Sequence, residues 1–176
     1  KDIFFSLLCG ELSALFLLFI IKNPYVTEFQ SLAKISALTW ALPIAAPLMF
    51  LFGIAVGKIF SKIAAVFYQI VKFLEIGVLN TFVDMGILNL LVSMSGVTSG
   101  ISLGFFNTIS FSLAVINSYF WNKLWTFSKE NSANAGKEFI SFIIVSAIGW
   151  AINTSIVVLG TTYLAANNSF SAGAWV

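Results

Sequence analysis

The sequence has no histidine, a single cysteine (Cys9) and three prolines, and only 9% of its 176 residues are charged. Each shortage removes a class of function. Without His, the usual base of a serine or cysteine hydrolase and the commonest transition-metal ligand are missing. One Cys gives neither an internal disulfide nor a thiolate cluster for zinc or iron–sulfur ligation. Carboxylates, lysines and hydroxyls are the remaining chemistry, so no metal, no cofactor and no enzyme activity are expected. Nine Lys plus Arg against seven Asp plus Glu give a net charge of +2. That is too small and too dispersed for the basic stripe that nucleic acid requires.

Apolar residues are abundant instead: 59% of the chain is hydrophobic and the mean hydropathy is +0.98. Water-soluble domains run at about 45–50% apolar and about a quarter charged, so this chain belongs in a bilayer. A spanning helix needs about 20 mainly apolar residues, and five such runs are present. They are Ile3 to Ile21, about Ala37 to Gly57, Phe73 to Ser93, Ile101 to Trp121, and Phe139 to Leu159. A further run starts at Phe170 and stops at Val176, which reads as a sixth span cut short. The expected fold is an all-α, polytopic transmembrane bundle of five spans and the start of a sixth.

The first run ends at the turn signal Lys22-Asn23-Pro24. A secretory signal peptide is the competing reading, but Glu11 sits mid-run and no small-x-small cleavage pattern follows. Pro43 and Pro47 are expected to kink the second span, and Gly53 and Gly57 offer a small-xxx-small face that a second copy of the chain could use. Between the second and third spans, Ile59, Ile63, Val66, Phe67 and Ile70 recur at helical spacing while Lys58, Lys62 and Gln69 face elsewhere. The segment Lys58 to Lys72 is therefore an interfacial amphipathic helix or a continuation of its neighbouring spans.

Lysine placement sets the orientation. Lys1, Lys58, Lys62, Lys72, Lys123, Lys129 and Lys137 fall on one side, and only Lys22 and Lys34 on the other. Seven against two puts the amino terminus in the cytoplasm.

Polar residues inside the spans are arranged in stripes. Gly77, Asn80, Thr81 and Asp84 share a face of the third span; Asn107, Ser110, Ala114, Asn117, Ser118 and Trp121 share one on the fourth; Ser146, Gly149 and Asn153 share one on the fifth. Facing lipid they would be unsatisfied, so they should face one another or a wet cavity. A shift of 69 residues pairs Phe73 with Phe142, Gly77 with Ser146, Asn80 with Gly149, Asp84 with Asn153 and Ile87 with Ile156. This reads either as a repeated helical hairpin or as the shared composition of apolar segments.

Asp84 stands apart, because a carboxylate at the centre of a span costs about 2.5–3.5 kcal/mol on insertion scales. Glu75, three residues past Lys72, reads as a solvated helix start, and Glu11 lies deeper, with Ser6 and Ser13 nearby. At the end of the fourth span, Tyr119, Trp121 and Trp125 form an aromatic belt beside Asn117, Asn122 and Lys123. Such a belt is either an interfacial anchor or a headgroup site, in which Lys123 meets a phosphate, the amides hold phosphate or sugar oxygens, and indoles stack on sugar or isoprenoid.

The tract SFSLAVINSYFWNKLWTF, preceded by KFLEIGVLNTFVDMGILNLL, resembles the GtrA-like family of small bacterial membrane proteins. Asn117, Tyr119, Asn122, Lys123, Trp125 and Phe127 fit its Asn-aromatic-x-x-Asn-Lys/Arg-x-Trp-x-Phe signature, and the likeness covers Lys72 to Val176. Two domains follow: residues 1–71 add two helices and a linker, and residues 72–176 form the family bundle with its last helix cut off. The resemblance implies a role in cell-surface polysaccharide synthesis at the bacterial inner membrane, with a polyprenyl-phosphate-linked sugar as ligand. Asn80, Asp84, Asn107, Asn117, Tyr119, Asn122, Lys123, Trp125 and Asn153 are then the candidate binding residues. Two functions fit: translocation of the lipid-linked sugar, or a non-catalytic scaffold that recruits a cytoplasmic glycosyltransferase. Membrane lipid and a second copy of the chain are further candidate partners. An intramembrane glycosyltransferase fits less well, because no Asp-x-Asp pair for a nucleotide-sugar metal is present.

Overall fold

The computed structural model describes residues 1–24, 30–127 and 135–164. Every regular element among them is a helix: α1 (Asp2–Ile21), α2 (Gln30–Ala33), α3 (Ser36–Phe60), α4 (Val66–Ser95), α5 (Gly100–Trp121) and α6 (Ala135–Leu159), with wide π turns at Asn122–Thr126 and Gly160–Leu164. Among the described residues, four stretches are long and apolar enough to cross a membrane: Asp2–Ile21, Ser36–Phe60, Val66–Ser95 and Gly100–Thr126. The chain is a multi-pass membrane protein. Its outer surface agrees with this, since Trp40, Phe52, Phe105 and Ile101 are exposed, a shell suited to acyl chains rather than water. The fifth expected span falls inside α6, and the start of a sixth lies outside the described residues.

Helix ends follow local chemistry. Asp2 puts an acid in the first turn of α1, where the helix dipole favours it. Pro24, just past the end of α1, cannot prolong the helix. Gly96 closes α4 in the left-handed conformation at φ 71, and its N–H donates to the Val92 carbonyl at 2.8 Å. At the end of α5 the ladder lengthens instead: the Phe127 N–H donates to the Asn122 carbonyl five residues back, at 2.9 Å.

No separate helix spans Lys58 to Lys72. Lys58, Ile59 and Phe60 finish α3, residues 61–65 turn, and Val66 to Lys72 open α4, so the segment continues its neighbours. Five residues are enough to reverse the chain, and their backbone bonds are closed locally from Ser61 to Ala64.

α1 packs against α3 and α4, α3 also against α4, and α5 lies between α4 and α6. One core cluster joins Cys9, Ile54, Ile76, Leu79, Val83, Ala114 and Trp125; a second joins Leu88, Val92, Leu103 and Val157. α1 and α3 approach closely at Gly10, where an added Cβ would stand 2.5 Å from the Pro47 Cα. Gly10→Val should therefore lower stability by about 1–3 kcal/mol through overpacking; an unchanged melting temperature in detergent would show that the crossing can widen freely. Gly53 and Gly57 face Glu75 and Val71 of α4, so the small-residue face expected to serve a second copy is occupied within the chain.

Candidate functional site

The polar stripes of α4, α5 and α6 converge. Asn80, Thr81 and Asp84 from α4, Asn107 from α5 and Asn153 from α6 line one cleft of about 500 Å³. Asp84 lies within four residues of the midpoint of the apolar stretch Val66–Ser95. Thr81 and Ile156 at the rim are exposed, so the cleft opens toward lipid.

Ser110, fully buried on α5, is its pivot. Its hydroxyl lies 2.6 Å from Asp84 Oδ1 and 3.1 Å from the Asn107 carbonyl oxygen, and its one proton serves either acceptor. The Asn107 side-chain amide donates to Asn153 Oδ1 and Thr154 Oγ1, both at 2.8 Å. A single buried amide thus ties α5 to α6, while Ser110 ties α5 to α4. The positions paired by the 69-residue shift, Asp84 and Asn153, meet across this cleft with α5 between them. Chemically the wall offers amide donors, amide acceptors, hydroxyls and a carboxyl, and among the described residues no cation lines it. Such a set fits the hydroxyls of a sugar.

The polar surface extends toward Lys72. Asn80 Oδ1 and Asn117 Nδ2 are buried without hydrogen-bond partners, and a side chain built on Gly77 would meet nothing within 4 Å. Open space therefore continues along the stripe. Asn117 uses its oxygen to accept from the Trp121 indole at 3.0 Å.

At the end of α5 the expected headgroup residues separate into two groups. Lys123 is exposed and its ammonium lies 5.5 Å from the centre of the Tyr119 ring. Trp125 and Asn122 turn inward. Trp125 is 1% exposed, its ring lies against Phe5, and its indole N–H donates to Asp2 Oδ1 at 2.9 Å. Asn122 donates to the Ser118 carbonyl at 2.9 Å. Trp125 consequently packs the bundle, and no face of it is open to a ligand.

The centre of that packing is Asp2, which the sequence reading did not single out. Its carboxylate accepts from Lys72 Nζ, the Tyr68 hydroxyl and the Trp125 indole, each at 2.9 Å, with the Lys72 ammonium 4.4 Å above the Tyr68 ring. Lys1 adds a bond to the Leu124 carbonyl at 3.1 Å. The first-turn acid of an apolar helix was the available signal, but its partners lie 66, 70 and 123 residues away. Glu75 is a second correction: it is buried, not a solvated helix start, because α4 begins at Val66 and places it in the third turn.

No curated protein and no solved structure matches the chain. The family profile described as GtrA/DPMS, transmembrane domain, matches residues 72–175. That range contains every cleft residue and the whole Asn122–Thr126 turn, and it covers more than half of the sequence. The chain therefore belongs to the GtrA/DPMS transmembrane-domain family.

Proposed function

We propose that this protein binds a polyprenyl-phosphate-linked sugar and moves it across the bacterial inner membrane for cell-surface polysaccharide synthesis. The observation that carries the proposal is the mid-membrane cleft, where Asn80, Asp84, Asn107 and Asn153 meet beneath a lipid-facing rim. The isoprenoid stays among the exposed apolar side chains of the bundle, and the sugar exchanges water for the amides and hydroxyls of the stripe. α6 acts as a fifth span, and the excess of lysines on one side sets the amino terminus and the end of α5 in the cytoplasm. Lys123 meets the phosphate there, with Tyr119 beside it. Asn117 and Asn80 lie between that end and the cleft.

The test is transbilayer movement of a labelled polyprenyl-phosphate sugar in vesicles that contain only this protein. Movement slowed in Lys123→Ala, with Lys123→Arg milder, supports the proposal. The loss of one charge-assisted hydrogen bond should weaken lipid binding by about 1.5–3 kcal/mol. Trp125→Ala should instead lower the melting temperature, as expected of a buried ring. A scaffold for a cytoplasmic glycosyltransferase predicts no movement, together with retention of that enzyme on the purified protein.

A further inference from the structure

A buried carboxylic acid lies outside both the cleft and the end of α5. Glu75, between α1, α3 and α4, is 7% exposed, and neither of its oxygens has a hydrogen-bond partner. The fully buried Ser6 hydroxyl from α1 and the Ile54 backbone in α3 are its polar neighbours, and neither reaches bonding geometry. A Cβ on Gly53 would stand 3.0 Å from Glu75 Oε1, so the carboxyl presses into the space that a glycine leaves on α3.

Among the described residues around it, the nearby cation, Lys72, is paired with Asp2. α1 contributes the buried Cys9 thiol and Asp2; α4 contributes Tyr68 and Lys72. The Asn122–Thr126 turn contributes Trp125, and the one titratable side chain of α3, Lys58, is exposed near its end. Lys72 is already committed, since its ammonium forms an ion pair with Asp2 at 2.9 Å, and the Tyr68 and Trp125 donors also go to Asp2. An ionised carboxylate with two bare oxygens is strongly disfavoured in such surroundings, and a proton is the ligand that relieves it.

We propose that Glu75 is a proton-binding site at the junction of α1, α3 and α4. Nothing in this proposal depends on the identity of the translocated lipid.

The probe is dicyclohexylcarbodiimide, which enters apolar regions and reacts with protonated carboxyls. The acid proton moves to a carbodiimide nitrogen, a carboxyl oxygen bonds to the central carbon, and acyl migration to nitrogen yields a stable N-acylurea. Nothing leaves, so the peptide gains the mass of the whole reagent. With the full chain in micelles, the peptide containing Glu75 should be labelled, at least about tenfold faster at the acid end of a pH series than at its alkaline end. Glu75→Gln should remove the label and keep the melting temperature, because the amide reproduces the shape of the neutral acid. Lys72→Met should leave labelling undiminished. Label that appears on Glu75 only in Lys72→Met would identify an ion pair and overturn the proposal. So would the absence of label on Glu75 at every pH, a labelling rate that does not change with pH, or a Glu75→Gln protein that melts well below the parent.

Discussion

Asp84→Leu is expected to fold as well as the parent and to lose at least about tenfold of its transbilayer activity, the effect of about 1.5–3 kcal/mol of lost polar contact. Both halves follow from the geometry. Ser110 retains the Asn107 carbonyl as an acceptor when Asp84 is gone, so no buried hydroxyl is stranded. Removing a mid-span carboxylate also removes an insertion cost of about 2.5–3.5 kcal/mol, so stability should hold or rise. The cleft nevertheless loses the carboxyl in its wall. Asp84→Asn, which can still accept from Ser110, separates the role of charge from that of hydrogen bonding. Melting temperatures in detergent and movement of labelled lipid in vesicles give the two measurements. An active Asp84→Leu protein would make this carboxylate a packing residue, and a melting temperature well below the parent would make it a structural one.

Asp2→Ala should produce a large loss of stability for a residue at the very start of a helix. It strands the Lys72 ammonium, whose side chain is 11% exposed, and leaves the Trp125 and Tyr68 donors without their acceptor. Removing one partner of a fully buried pair costs about 3–5 kcal/mol, but the Asp2 side chain is 35% exposed and partly screened, so about 2 kcal/mol is expected. The double variant Asp2→Ala, Lys72→Met should recover much of it, since the stranded charge is then gone. Equal melting temperatures for the parent and Asp2→Ala would mean that α1 is held by apolar packing alone.

Much of this architecture was legible in the chain because the bilayer imposes a simple length rule. The four stretches long enough to cross a membrane coincide with apolar runs, and their ends moved by a few residues except at α4. That exception had a consequence: starting α4 at Val66 rather than Phe73 carried Glu75 from a solvated end into the interior. The stripes were readable because amides and a carboxylate at helical spacing stand out against Leu, Ile and Phe. Their convergence on Asn107 and Ser110 agrees with the expectation that they face one another. The division of the signature was not readable. Lys123 and Trp125 are two positions apart, and only the docking of α1, through a carboxylate 123 residues from Trp125, decides which of them is buried.

The wide turn at Asn122–Thr126 changes how the signature has to be counted. Closing the ladder over five residues instead of four inserts one extra position, and each position is worth about 100° around a helix axis. The residues of the turn are thus out of phase with α5. Deleting Asn122 or Lys123 would restore ordinary winding and re-aim Trp125 by about that angle. A substitution in this turn alters one side chain, whereas such a deletion swings Trp125 away from Asp2, so loss of one codon should be far more damaging here than its replacement.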